Sequence, residues 1–339
     1  KKLKVAVIGS GSFGTALGSL SARCGHNVLM YSNSSQTIKD VNEFNRNLRY
    51  FPDDIVLPNN LKASGDLEEC LKDASMIIHA IPVQKSYSFL KDNASLIPNN
   101  IPYVISSKGI MIEQKKFFSE VWEDIFPKER NIYHCVLSGP SFALEIIKNT
   151  PTVVTLACNN KKIIKQVQSN LHTSTFKTYV TDDVKGVEIG GALKNPLAIA
   201  AGIVEGQGLG INTNAALITR GLKEMSLFSE RFGGRQETLF GLSGVGDVML
   251  TCLGGLSRNK KVGLRIAKGE TIDDIVNRYH EVAEGVPTLD VLDEMIKQNN
   301  LNMPVFKTLA KVLKGQISAD DAGKFLMLRD LEDEDNIKI

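Results

Sequence analysis

A glycine-rich turn directly after the first hydrophobic run constrains this 339-residue chain more than any other feature. Residues 3–8 read LKVAVI, whose length and β-branching predict a buried strand, and residues 9–14 read GSGSFG before a helical pattern begins. Gly9 permits a tight turn, Gly11 lets a phosphate group approach the backbone, and Gly14 lets the helix pack close to the strand. Because a helix N-terminus also favours anions, this strand–turn–helix unit predicts a bound dinucleotide.

The rest of the first half alternates short β-branched runs with helical patterns. The further predicted strands are NVLMYS, SMIIHAI, PYVISS, IYHCVLS, TVVTLA and TFKTYV. This alternation predicts an α/β fold, a Rossmann-like, doubly wound and mostly parallel sheet with helices on both faces. After about Thr181 only helical periodicity remains. We therefore predict a dinucleotide-binding domain over residues 1–181 and an all-α substrate-binding and catalytic domain over residues 182–339.

Several local signals mark helix ends. Pairs with the spacing of a capping box are Asp66 with Glu69, Thr271 with Asp274, and Ser318 with Asp321. The segment Asn212–Asn214 predicts the cap of a helix that runs to Phe232. The acidic stretch LEDEDN near the C-terminus predicts a solvated tail.

Composition excludes several classes of function. The formal net charge is +2, so no global charge favours nucleic acid or an anionic membrane. We see no run of about 18 apolar residues and expect no integral membrane segment. The five cysteines are scattered without a CxxC pair, and the five histidines show no paired spacing. We therefore expect buried free thiols, no metal site, and a reducing compartment such as the cytoplasm.

Two polar pairs interrupt apolar helical segments in the second half. Lys194 and Asn195 stand in IGGALKNPLAIAAGI, where a lysine is costly to bury without partners and where Pro196 should disturb the helix. Asp247 and Thr251 stand four residues apart in GVGDVMLTC and would share a helix face. Lys194 is alternatively an edge lysine with its charge in water, and Asp247 is alternatively a helix cap.

Two further sets of cations could bind an anionic group. Ser257, Arg258 and Asn259 open a basic run after a glycine pair, and an arginine fork suits a phosphate. Lys108 follows the predicted strand PYVISS, at the strand end where open α/β sheets bind ligands. An ammonium beside a ketone could stabilise the alkoxide that hydride attack creates and donate a proton to it.

Together these residues resemble the soluble NAD(P)-dependent glycerol-3-phosphate dehydrogenases. The segments that carry the resemblance are GSGSFGTAL, IPVQ, SSKGI, LSGPSFALEI, GGALKN with NPLAIAAGI, NTNAALITRG, GDVMLTC, SRN and VAEG. They follow the order of the family from Gly9 to Gly285 and cover most of the chain. The family's two-domain build agrees with the predicted boundary, whereas Pro196 departs from the more usual hydrophobic residue.

The resemblance implies a role for each motif. It makes Lys194 the general acid, supported by Lys108 and Asp247. The residues implied to hold dihydroxyacetone phosphate or glycerol 3-phosphate are Asn195, Thr251, Arg258 and Asn259. The residues implied to contact the cofactor are Gly9, Ser10, Gly11, Ser12, Phe13, Gly14, Pro82, Lys108, Arg258 and Glu284. It also implies a cytoplasmic homodimer.

The nature of the cofactor and of the reaction leaves alternatives. The second strand ends in Tyr31-Ser32-Asn33, which has neither the acid typical of NAD sites nor the arginine typical of NADP sites. We expect NAD(H), with some use of NADP(H). One alternative is a 3-hydroxyisobutyrate or phosphogluconate type of dehydrogenase, although position 198, where that type has asparagine, is alanine. A non-catalytic, NAD(H)-binding redox sensor is the other.

Overall fold

The computed structural model describes residues 2–279 and 283–327, and the chain divides into two compact units. Unit 1 comprises Lys1–Ser107 and Phe118–Val184, and unit 2 comprises Lys108–Phe117 and Lys185–Ile339. The boundary drawn from sequence assigned residues 108–117 to the first domain, whereas this segment belongs to unit 2. Its side chains Ile110 and Phe117 are buried in one core with helices distant in sequence, so local periodicity gave no sign of it. The acidic LEDEDN stretch lies outside the described residues.

Unit 1 is built on one eight-stranded sheet with the strand order β3-β2-β1-β4-β5-β6-β7-β8. The strands are β1 (Lys4–Ile8), β2 (Asn27–Tyr31), β3 (Leu61–Ser64), β4 (Met76–His79), β5 (Ile101–Ile105), β6 (Ile132–Ser138), β7 (Thr152–Ala157) and β8 (Phe176–Thr181). All neighbours are parallel except β6 and β7. The predicted Rossmann-like, mostly parallel sheet is confirmed. Sequence analysis missed only β3, whose LKAS is short and weakly apolar.

Helices connect these strands. They are α1 (Ser12–Arg23), α2 (Ser35–Phe44), α3 (Leu67–Leu71), α4 (Val83–Asp92), α5 (Phe118–Ile125), α6 (Ala143–Ile147) and α7 (Lys161–Asn170). Strands β1, β4 and β5 are almost wholly buried, because helices cover both faces of a parallel sheet. This explains why their sequences are continuous apolar runs without alternation.

The described part of unit 2 contains helices and no strand. The helices are α8 (Val184–Gly206), α9 (Ile211–Arg231), α10 (Gln236–Leu239), α11 (Asp247–Leu253), α12 (Arg258–Ile266), α13 (Ile272–Tyr279), α14 (Gly285–Gln298), α15 (Pro304–Leu313) and α16 (Ala319–Met327). A short π-helical turn over Leu242–Gly246 leads into α11. One hydrophobic core joins α8 to the surrounding helices and to Ile110 and Phe117.

Helix α8 is predominantly apolar, is interrupted by Lys194 and Asn195, and lies in the core of unit 2. It is the one described helix long and apolar enough to cross a bilayer, and 94% of its apolar window is buried inside the protein. Lys194 and Asn195 interrupt its apolar sequence, and such burial is typical of a core helix. The helix continues through Pro196, so the predicted disturbance does not interrupt it.

Each of the three predicted boxes has the bond from the N–H of the third residue to the capping side chain, and Thr271 with Asp274 also has the reciprocal bond at 3.1 Å. Asp66 accepts from the N–H of Glu69, and Thr271 and Ser318 accept from the N–H groups of Asp274 and Asp321. The prediction for Asn212–Asn214 was wrong, because α9 begins one residue earlier, after Gly210. Gly210 has φ of +88°, a left-handed conformation that favours glycine, and this turn sets the start of the helix.

Candidate active-site residues

In unit 1 the glycine turn connects β1 to α1 with a shape that only glycine allows at two positions. Gly9 has φ of +111°, and a Cβ there would lie 2.8 Å from the carbonyl oxygen of Ala80. A Cβ on Gly14 would lie 2.1 Å from the carbonyl oxygen of Gly9. At Gly11, in contrast, a Cβ would meet no atom within 4 Å. Local packing therefore explains Gly9 and Gly14, whereas Gly11 faces open space beside the N-terminus of α1.

The glycine turn is held by hydrogen bonds from Asn47, which no sequence motif indicated, and by a bond between Ser10 and Ser32. The buried Asn47 amide donates to the carbonyl of Ser10 and to the hydroxyl of Thr15, at 3.1 and 2.8 Å. The Ser10 hydroxyl donates to Ser32 at 2.7 Å, and Ser32 is almost wholly buried. Ser32 thus supports the turn, and Asn33 is the exposed side chain at the end of β2.

The loops after β4 and β5 are tied to each other at the same edge of the sheet. The Ser107 hydroxyl donates to the carbonyl of Ile81 at 2.5 Å, next to Pro82 at the start of α4. Buried His79 contacts the hydroxyls of Tyr103 and Ser86 at 3.0 and 2.8 Å, and burial lowers the His79 pKa to about 3. A neutral imidazole thus supports this edge, where parallel sheets bind ligands.

In unit 2, a buried ammonium group from α8 meets a buried carboxylate from α11. Lys194 Nζ donates to Asp247 Oδ1 at 2.5 Å and to Thr251 Oγ1 at 3.1 Å. Thr251 donates its own proton to the Asp247 carbonyl at 2.6 Å, which leaves its oxygen lone pairs facing Lys194. The third N–H of Lys194 has no acceptor among the described residues. Asp247 is thus the partner that a buried Lys194 requires, and its N-cap alternative is excluded because Gly246 holds the N-cap position of α11.

Lys108 completes a three-charge cluster. Its Nζ lies 2.8 Å from Asp247 Oδ2, so the two carboxylate oxygens serve one lysine each. The Asp247 side chain is 1% exposed and that of Lys194 10%. Burial lowers the Lys194 pKa to about 8, although Asp247 opposes the shift. Burial acts to raise the Asp247 pKa, but Lys108 and Lys194 outweigh it and lower the pKa overall.

A chain of amide hydrogen bonds lies beside this cluster. Asn259 Nδ2 donates to Asn195 Oδ1 at 3.1 Å, and the N–H of Gly285 donates to Asn259 Oδ1 at 2.9 Å. A Cβ on Gly285 would lie 2.7 Å from Asn259 Oδ1, so the close approach requires glycine. These contacts join α8, α12 and α14, and Glu284 stands at the N-cap of α14.

The basic run divides into residues with different surroundings. Ser257 caps α12 by accepting from the N–H of Lys260 at 3.2 Å. Lys260 is buried and pairs with Glu205 at 2.7 Å, so its charge serves the interior of unit 2. Arg258, the first residue of α12, is exposed. The helix N-terminus and an accessible guanidinium are therefore adjacent, a combination suited to an anion.

Structure adds residues that motifs alone did not identify. Asn47 has no motif around it, and only its contact with Ser10 reveals its function in shaping the turn. The loop after β6 contains Gly139, with φ of +153° and a Cβ position 2.9 Å from Val154. That loop leaves the same carboxyl edge as the glycine turn, because β6 continues the parallel order. Its position after a strand is the signal that could have identified it.

The glycine turn on a Rossmann-like sheet, and the buried lysine–aspartate cluster in a helical unit, define an NAD(P)-dependent oxidoreductase. Comparison of the sequence with family models identifies the family within this class. Residues 4–164 match the model of the NAD-dependent glycerol-3-phosphate dehydrogenase N-terminus, and residues 183–324 match that of the C-terminus. The chain belongs to the NAD-dependent glycerol-3-phosphate dehydrogenase family.

Individual relatives agree over nearly the whole chain. A glycerol-3-phosphate dehydrogenase [NAD(P)+] of Leptospira biflexa is 42% identical over 332 residues, which cover 98% of this chain and 99% of the relative. A chloroplastic glycerol-3-phosphate dehydrogenase [NAD(+)] of Arabidopsis thaliana is 40% identical over 96% of this chain and is itself covered to 77%. The crystal structure of glycerol-3-phosphate dehydrogenase from Coxiella burnetii superposes with a TM-score of 0.90 at 34% identity, covering 97% of this chain and 99% of that one.

Proposed function

We propose that this protein catalyses the reversible, NAD-dependent interconversion of dihydroxyacetone phosphate and sn-glycerol 3-phosphate. The observation that carries the proposal is the buried Lys194 ammonium, held by Asp247 and Thr251 with one N–H to spare. Membership of the dehydrogenase family over the full length of the chain supports the same conclusion.

The cofactor residues proposed from sequence fit a dinucleotide. The open space at Gly11 and the N-terminus of α1, which lacks a side-chain cap, can accept a pyrophosphate. Gly9, Ser10, Ser12, Phe13 and Gly14 form the same turn, with Pro82 at the neighbouring strand end. Bound NADH supplies the hydride that reduces the ketone carbon of the substrate.

Lys194 acts in this proposal as the proton donor. Its free N–H can face the ketone oxygen, where an ammonium stabilises the developing alkoxide and then releases a proton to it. A pKa of about 8 suits this function, because the group is mostly protonated near neutral pH but gives up its proton readily. In the reverse direction the neutral amine accepts the proton of the alcohol.

Asp247 and Lys108 adjust that acid. The carboxylate keeps Lys194 protonated and aims it, since two bonded acceptors fix the direction of the third N–H. Lys108 shares the carboxylate, lowers the Lys194 pKa and adds a positive charge to the substrate site. Lys108 would also contact the cofactor, as the family resemblance implies.

The substrate phosphate is proposed to bind at the start of α12. Arg258 provides a planar fork of donors, and the first N–H groups of the helix add a positive dipole. Asn195 and Asn259 hold each other through their amides and would orient the substrate between the phosphate and Lys194. Thr251 contacts Lys194 directly and is proposed to contribute to the substrate site. Glu284 is proposed to contact the cofactor.

We extend the proposal to cofactor preference, assembly and location. Asn33 can bind ribose hydroxyls and does not repel a 2′-phosphate, so NADH is preferred and NADPH is accepted. Exposed apolar side chains such as Ile211 and Phe240 on unit 2 fit a homodimer. Five free cysteines fit the reducing cytoplasm.

A spectrophotometric assay tests the proposal. NADH oxidation is followed through the absorbance of the reduced nicotinamide. The wild-type protein is assayed with dihydroxyacetone phosphate and with unphosphorylated dihydroxyacetone, and the Arg258→Ala variant is assayed with dihydroxyacetone phosphate. We expect kcat/KM for the phosphorylated ketone to exceed that for dihydroxyacetone at least ~100-fold, since remote binding energy is used at the reacting carbon. Equal turnover of both ketones contradicts the phosphate site. NADH binding without turnover favours the redox-sensor alternative.

A further inference from the structure

Two cysteines of unit 1 lie beside each other where β6 and β7 pair, Cys135 within β6 and Cys158 directly after the end of β7. The antiparallel register pairs Val136 of β6 with Ala157 of β7. Cys135 precedes Val136 and Cys158 follows Ala157, so continuing this register by one step places the two cysteines opposite each other. Opposite residues in an antiparallel pair have Cα atoms about 4.5 to 5.5 Å apart. A disulfide needs about 4.4 to 6.8 Å, so the backbone already provides the required separation.

The chemical surroundings of these two thiols differ from those of the other cysteines. The neighbouring Cys135 thiol lowers the Cys158 pKa in spite of burial, and the N–H of Asn160 adds to the effect. The proximity of Cys158 and burial both raise the Cys135 pKa. Burial raises the pKa of the remaining thiols, which are Cys24, Cys70 and Cys252.

We propose that Cys135 and Cys158 form a reversible intramolecular disulfide when the protein meets hydrogen peroxide. The Cys158 thiolate attacks one peroxide oxygen, which gives a sulfenic acid and hydroxide. Cys135 then attacks the sulfenic sulfur, its proton goes to that hydroxide, and the sulfenic hydroxyl leaves with a further proton as water. In total, two thiols are oxidised by two electrons and one peroxide is reduced to two waters.

The Cys135 and Cys158 side chains are nearly inaccessible, at 0% and 4% exposure, and this burial limits the size of an oxidant that could react with them. Hydrogen peroxide, a small oxidant, is therefore the one proposed, because a bulky disulfide cannot reach buried sulfurs. Because the bond would join two strands already in register, it requires no rearrangement of the sheet. The inference does not depend on the proposed enzymatic activity.

Peptide mapping of the wild-type protein tests the proposal. The protein is treated with peroxide, alkylated with iodoacetamide under denaturing conditions, and digested with trypsin without reduction. We expect a linked pair of the tryptic peptides 131–148 and 149–161, the loss of two of the five titratable thiols, and full return of both after dithiothreitol. The linked peptide should also appear in Cys24→Ser.

A single exchange isolates the attacking thiol. In Cys135→Ser the linked peptide should vanish, and the Cys158 sulfenic acid should become trappable by dimedone when the peroxide-treated protein is unfolded in the presence of that reagent. The proposal is overturned if wild-type protein yields no linked pair while Cys24 is oxidised, or if the disulfide involves Cys70 or Cys252. Since the wild-type map alone decides these outcomes, a misfolded variant leaves the test intact.

Discussion

Asp247→Asn is the exchange that most sharply tests how the lysine cluster works. Asparagine keeps the shape of the side chain but removes the carboxylate that lies against both Lys108 and Lys194. Its amide must also point its NH2 toward one of the two ammonium groups. We therefore expect Lys194 to lose its proton at a much lower pH than in the wild-type protein.

The size of the effect follows from Coulomb's law. A unit charge about 4 Å away is worth about 4 kcal/mol at an effective dielectric constant of about 20, or about three pKa units. With a wild-type pKa of about 8, roughly three-quarters of the Lys194 side chains are protonated at pH 7.5. In the variant that fraction falls to about 0.3%, which predicts a loss of about 200-fold in the rate of ketone reduction.

The assay is kcat/KM for dihydroxyacetone phosphate reduction from pH 5 to pH 9. In Asp247→Asn we expect the rate to recover as the pH falls, because acid restores the Lys194 charge. Thr251→Val is the matched control, since it removes one hydrogen bond to the same ammonium but no charge. It should shift the profile by about one pKa unit or less. An Asp247→Asn profile that still declines near pH 8 would refute the electrostatic reasoning.

Three further predictions concern the wild-type profile, the glycine turn and the cofactor. The wild-type kcat/KM for ketone reduction should decline above about pH 8 and that for alcohol oxidation should rise, because the two directions need Lys194 with and without its proton; profiles with the same slope contradict this. Gly11→Ala should weaken NADH binding at least ~10-fold by fluorescence titration while the melting temperature stays unchanged. The control is Gly323→Ala, where an added Cβ also meets no atom within 4 Å. An unchanged affinity of Gly11→Ala for NADH argues against a pyrophosphate at Gly11. Steady-state kinetics should give a higher kcat/KM with NADH than with NADPH, and the reverse order contradicts the interpretation of Asn33.

Much of the fold was predictable because its signals are local. Strands such as β1 and β4 are continuous apolar runs, which a parallel sheet covered on both faces requires. The short strand β3 was not predicted because its sequence LKAS contains no continuous apolar run. The assignment of residues 108–117 to unit 2 also escaped, since it depends on the burial of Ile110 and Phe117 by helices far along the chain.

Site residues were predictable where a charged residue interrupts an apolar segment. Lys194 lies in an apolar segment, where burial of its charge requires a partner, and Asp247 is that partner. The same logic could not separate Lys260 from Arg258, because both belong to one basic run. Only the fold shows that Lys260 turns inward to Glu205 while Arg258 stays exposed. Asn47 gave no signal, since its contact with Ser10 spans 37 residues of chain.

Lys194→Met tests the central claim most directly. Methionine keeps the length and apolar stem of lysine but cannot donate a proton, and general acid catalysis is worth about 10²- to 10⁴-fold. Once a melting curve shows that the variant folds, kcat for dihydroxyacetone phosphate reduction and NADH affinity by fluorescence are measured together. We predict that kcat falls at least ~1,000-fold, near the upper part of that range, while NADH affinity changes little. A folded variant that retains a tenth of the wild-type kcat would assign the proton donor elsewhere, with Lys108 the next candidate.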